Sequence, residues 1–206
     1  MKPIARLRYI ATSLLIVLSL AASQAFASRQ PLQVRLFVHQ DVTESVDYIR
    51  YNYLSHWAKT MRDISGREVE FEFITEANAI TTMDYRNEDH AAPMAQLTAH
   101  YLQYDFTHPV QGDEFLQKGL LLTRHAINGT VGGAASDFGK IGIASLVSYS
   151  FPAHELGHMF GATHENARAG WCDTYMVPRR NSFKAQCYGY SEANERVIGM
   201  RLDNRP

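Results

Sequence analysis

The chain has 206 residues, 46% of them in the hydrophobic set and 20% charged, with 20 Lys plus Arg against 21 Asp plus Glu. That is ordinary globular composition. A nucleic-acid binder would usually be basic, and this chain is not.

Residues 1–27 stand apart. Lys2, Arg6 and Arg8 supply a basic start, Ile10 to Leu20 an apolar run, and Ala25-Phe26-Ala27 a small-x-small cleavage pattern. This reads as a secretory signal peptide cleaved after Ala27. The apolar run is about eleven residues where a membrane span needs roughly twenty. No membrane span is expected, and the mature protein would be secreted or periplasmic. Removing residues 1–27 takes away three basic and no acidic residues, leaving residues 28–206 acidic by four charges. That length suits one domain. Only Cys172 and Cys187 are available, and an even count in an exported chain favours a disulfide, worth ~3 kcal/mol for a loop of that length in the chain-entropy model.

Residues 32–38 alternate and are rich in branched and aromatic side chains, which predicts a strand. From Thr43 or Glu44 to Ile64, the residues Val46, Ile49, Tyr53, Trp57 and Met61 recur at helical spacing, and Gly66 would end that helix. Residues 68–75 alternate strictly, predicting a half-buried strand with its glutamates in water. Strand, helix, strand suggests a sheet with a crossover helix. A loop is expected around Tyr85 to Pro93 and a helix from Met94 to Gln103. Residues 118–125 suit an interior strand, Asn128-Gly129 a turn, and Ile141 to Val147 a further strand. The glycines at 129, 132, 133 and 139 lack the Lys-Ser/Thr ending of a phosphate loop.

Residues 154–164 read His-Glu-Leu-Gly-His-Met-Phe-Gly-Ala-Thr-His. On a helix, His154 and His158 at i and i+4 project from one face and can place two nitrogens on one metal ion. Glu155 lies about 100° further round, where it can reach a metal-bound water. Gly161, without a Cβ, lets the chain leave the helix, and His164 can return as a third ligand. Three nitrogens with one open position is the pattern of a catalytic rather than a structural zinc site. Zinc would lower the pKa of bound water and polarise a carbonyl, and Glu155 would accept the proton and pass it to the leaving amine. The reaction implied is hydrolysis of an amide or peptide bond.

His-Glu-x-x-His-x-x-Gly-x-x-His resembles the zinc signature of the metzincin metallopeptidases. The resemblance implies one catalytic Zn2+ held by His154, His158 and His164, with Glu155 as general base and Gly161 as the turn. It also implies a methionine in a tight turn beneath the site. Met176, in Tyr175-Met176-Val177-Pro178, matches that pattern, with Met200 as the rival. Cys172 before Met176 and Cys187 after it look like the cysteine-bracketed turn of the reprolysin-like group, while Glu165 after the third histidine resembles astacins. The implied fold is α+β: a twisted mixed sheet with an antiparallel edge strand, backing helices, an active-site helix and a small C-terminal subdomain. Strand 140–147 would be the exposed antiparallel edge that binds an extended substrate. Tyr188 or Tyr190 could reach the oxyanion as in some metzincins, although packing is the simpler role for both. Trp171 could line a subsite or pack on the disulfide. The other six histidines show no ligand spacing.

The expectation is therefore a monomeric secreted zinc endopeptidase acting on protein or peptide, with no nucleic-acid partner. The alternatives are a catalytically silent zinc-containing peptide-binding module, and a zinc amidohydrolase acting on cell-wall or glycan-linked peptides.

Overall fold

The computed structural model of the chain describes residues 29–178 and 183–205. The expected signal peptide lies outside the described residues. The main sheet has five strands in the order β2-β1-β3-β5-β4. They are β1 Leu32–Val38, β2 Val69–Ile74, β3 Gln117–Thr123, β4 Gly133–Ala135 and β5 Ile141–Ser145. All neighbours pair in parallel except β4 with β5. Helices cover both faces, which is why the central strands are nearly all buried while the edge strand β2 alternates.

The helix predicted from 43–44 to 64 is present but not uniform. Ser45 caps α1 (Val46–Ile49) by accepting a hydrogen bond from the Tyr48 amide at 3.2 Å. The chain then passes through a π-helical turn, Arg50–Leu54, into α2 (Ser55–Ser65). Gly66 ends it at φ 63°, as its lack of a side chain allows. The stripe Ile49, Tyr53, Leu54, Trp57 and Met61 packs on the face of the sheet formed by Leu32, Val34, Leu36, Leu120 and Leu122. Each such aliphatic side chain contributes roughly 1.5–3 kcal/mol when fully buried. On the opposite face α3 (Ala91–Thr107) lays Leu97 and Tyr101 over Phe37, Leu121, Ile141 and Ile143. This helix starts before the predicted Met94 and ends beyond Gln103. Pro93 is accommodated because a first-turn amide has no intrahelical partner to lose.

One expectation is overturned. Strand 140–147 is not the exposed antiparallel edge: β5 is interior, parallel to β3 on one side and antiparallel to β4 on the other. The edge is β4, made from the glycine-rich stretch that read as a lead-in. With side chains no larger than methyl, β4 had no apolar periodicity to mark it as a strand.

After β5 the chain enters α4 (Phe151–Met159), which packs against β3, β4 and β5. Beyond it, β6 (Cys172–Asp173) and β7 (Ala185–Gln186) form a two-stranded ribbon closed by the Cys172–Cys187 disulfide, with Cα atoms 5.2 Å apart. The last helix, α5 (Glu192–Asp203), packs back on α2. Three buried cations hold the layers together. Arg35 on β1 reaches Glu72 on β2 (3.1 Å) and Asp105 on α3 (2.8 Å). Arg67 donates to the carbonyls of Gln30, Leu202 and Arg205, tying the C-terminal end of α5 to the start of the sheet. Lys118 lies between the rings of Phe115 and Phe160 and donates to the Gly139 carbonyl at 3.2 Å. Burial holds its ammonium down to about 8. No helix among the described residues is long and apolar enough to cross a membrane.

Candidate metal centre

The helical spacing does what geometry requires: His154 and His158 project from the same side of α4. Gly161 then leaves the helix at φ 92°, with its amide donating to His158 O at 2.9 Å. The chain comes back with His164. Its neighbour Thr163 is pinned by Asn194 of α5, whose side chain accepts from Thr163 N (2.9 Å) and donates to Thr163 O (3.0 Å). The three histidines of residues 154–164 thus converge on one point. The Nε2 atoms lie 3.3 Å (His154–His158), 3.1 Å (His158–His164) and 3.0 Å (His164–His154) apart. This is the single group of three or more metal-ligating side chains found among the described residues.

Proton placement decides what those distances mean. His154 Nδ1 lies 2.7 Å from Tyr175 O, and a carbonyl can only accept, so Nδ1 carries the proton and Nε2 a lone pair. His158 Nδ1 meets Asp137 Oδ1 at 3.1 Å, which assigns it the same tautomer. Burial lowers His154 to about 4, and it also lowers His158, where the neighbouring His164 adds to the effect, so both rings are neutral near pH 7. The His154 and His158 lone pairs, aimed at each other from 3.3 Å, repel unless a cation lies between them. A tetrahedral zinc with Zn–N bonds of about 2.05 Å separates its nitrogens by about 3.3 Å, so the donor set and its spacing fit zinc.

Glu155 is buried beside the trio, and that burial pushes its carboxyl up to about 8. The room for it comes from β4: a Cβ at Gly133 would lie 2.6 Å from Glu155 Oε1 and 2.7 Å from the Ile143 carbonyl. Edge strand and carboxylate can approach because position 133 has no side chain. The trio opens into a cleft with two lobes. One, of ≈ 420 Å³, is lined by His90, Met94, Ala135, Ser136 and the histidines. The other, of ≈ 500 Å³, is lined by Phe151, Tyr175, Val177 and Pro178.

The remaining predicted residues divide. Met176 is fully buried in the core beneath α4, beside Leu156 and Met159, and packs against Gly157. Its rival Met200 is half exposed on α5. Cys172 and Cys187 are bonded to each other. Tyr190 packs: its hydroxyl accepts from Trp57 Nε1 (2.9 Å) and donates to Ala153 O (2.7 Å), bracing α4 from below. The Tyr188 ring lies against that of His56 at a tilt of 33°, in a groove between α2 and α5. Trp171 is 86% exposed, so it does not pack on the disulfide. Glu165 is exposed, and its carboxyl is lowered chiefly by its own backbone amide and by Thr163. Sequence reasoning missed Asp137, Asn194, Gly133 and the Tyr175 carbonyl. Asp137 and Gly133 lie in the aperiodic glycine-rich stretch, and no spacing links Asn194 to the histidines.

No family model matches the chain, and no curated protein matches it in sequence. Among solved structures, the chain is similar to a zinc-dependent peptidase from Methanocorpusculum labreanum (strain Z), at 15% identity and a TM-score of 0.49, covering 80% of this chain and 99% of that one.

Proposed function

We propose that this protein is a secreted zinc endopeptidase of the metzincin kind, closest to the reprolysin-like group, which hydrolyses peptide bonds in an extended protein or peptide substrate. The observation that carries the reading is the convergence of three imidazole Nε2 atoms within 3.0–3.3 Å, with the buried Glu155 carboxyl beside them. His154, His158 and His164 would hold the ion. Zinc, when bound, supplies Lewis acidity that activates water and polarises the scissile carbonyl. Glu155 accepts a proton from the attacking water and returns it to the leaving nitrogen, so that one carboxyl serves as base and then acid. Its position supports that double role, because the glycine at 133 lets the carboxyl sit buried beside the three histidines, within reach of the open side of the site. The outer edge of β4, beside Glu155, offers backbone groups with which an extended peptide can pair. Gly161 at φ 92° supports the turn role, and buried Met176 supports the role of a methionine floor beneath the site. The disulfide supports an oxidising destination, outside the cell or in a periplasm.

The test is cleavage of a diverse peptide mixture read by mass spectrometry, with Glu155→Ala beside the wild type and the zinc content of both determined. The expected result is one zinc in each protein and cleavage by the wild type alone. If both hold one zinc and neither cuts, the endopeptidase reading fails.

A further inference from the structure

The segment joining β4 to β5 presses on the C-terminal end of α4. Phe138 N donates to His158 O at 3.0 Å, and Asp137 Oδ1 lies 3.1 Å from Nδ1 of the same histidine. The Phe138 ring fills the space beside Gly161, where a Cβ would sit 2.4 Å from its Cε1. Arg201 of α5 covers that ring at 4.6 Å from its centroid. Lys118 holds the end of the turn through Gly139 O at 3.2 Å, and Gly139 N closes it on Ser136 O at 2.8 Å. Phe138 adopts φ 59°, a conformation that a bulky residue takes only where its surroundings impose it.

We propose that Asp137 is a positioning residue of the metal centre: its carboxylate accepts a hydrogen bond from the Nδ1–H of His158, orients that ring, and so presents Nε2 to the ion, while the left-handed Phe138 turn holds the carboxylate in place. The inference rests on the zinc reading of the three histidines. His154 meets the same need with a neutral acceptor, the Tyr175 carbonyl. His158 is given a charged one, which makes it the more basic donor of the two. The Asp137 side chain is 61% exposed, so a carboxylate at that spot avoids most of the desolvation cost of a buried one.

Two measurements on the purified protein test this. Long-range proton–nitrogen correlation spectra of the metal-free protein at pH 8 report which ring nitrogen of each histidine is protonated. Chelator competition reports zinc affinity. In the wild type both His154 and His158 should carry the proton on Nδ1. Asp137→Ala should move His158 toward the Nε2–H form while leaving His154 unchanged, which also serves as the control for intact folding, and should weaken zinc binding ~10–100-fold. Asp137→Asn, whose Oδ1 can still accept from Nδ1–H, should restore the tautomer and part of the affinity. The proposal is overturned if His158 keeps its Nδ1 proton in Asp137→Ala, or if that variant binds zinc within about twofold of the wild type. A wild type that takes up no zinc overturns the zinc reading and the proposal together, whereas a zinc-binding wild type with an unaffected variant overturns the proposal alone.

Discussion

Replacing Gly161 by alanine separates two costs that the structure places at one residue. The first is conformational: the backbone sits at φ 92°, where a Cβ crowds its own carbonyl at roughly 1–2 kcal/mol. The second is steric: the new methyl would lie 2.4 Å from Phe138 Cε1 and 3.1 Å from Cζ. That ring cannot simply swing away, because Arg201 covers it and the Phe138 amide is bonded to His158 O. Overpacking of this kind costs about 1–3 kcal/mol. Gly161→Ala should therefore lose about 2–5 kcal/mol, or roughly 4–20 °C in Tm at the ~2–4 °C per kcal/mol typical of a domain this size. Urea and thermal unfolding should be followed in a chelator, so that metal binding does not contribute. In a Phe138→Ala background the steric cost disappears, and the same substitution should lose only the conformational 1–2 kcal/mol. A loss under about 0.5 kcal/mol in the wild type, or an equal loss in both backgrounds, would refute the reasoning.

Other outcomes follow from the same geometry. Cys172→Ser with Cys187→Ser opens a loop of sequence separation 15 and should lower stability by ~3 kcal/mol; a melting temperature that does not change on reduction of the wild type would contradict this. Zinc at a hundred times its Kd should raise the unfolding free energy by about 2.7 kcal/mol, reversibly on chelation; no shift in calorimetry would count against a preformed site. Burial pushes Tyr53, Tyr85 and Tyr101 up to about 12. With folded values raised above the unfolded value near 10, their contribution is complete below pH 10 and is lost as pH rises toward 12. Tyr101→Phe should reduce that decline by as much as about 1.4 kcal/mol per pH unit, and identical slopes in denaturation between pH 10 and 12 would exclude it.

What could be read from the sequence was local. The i, i+4 histidines and Glu155 belong to one helical turn, whose geometry is set by backbone hydrogen bonds within the segment, so their relative placement needed no knowledge of the rest of the chain. Gly66 and Gly161 announced chain reversals for the same reason, and the alternation of 68–75 marked a strand with one wet face, as β2 is. The order of the strands was a different matter. Interior or edge is decided by which segments find each other across the sheet, and the parallel pairing of β5 with β3 left the small-residue stretch 133–135 to close the edge. Burial of Arg35, Arg67 and Lys118 was equally hidden, because a cation is stable inside only where distant carboxylates, carbonyls or rings surround it. The same holds for the groups that complete the candidate metal centre. Asp137, the Tyr175 carbonyl and Asn194 act on the histidines through contacts that span 21 to 31 residues, and only the folded chain brings them together.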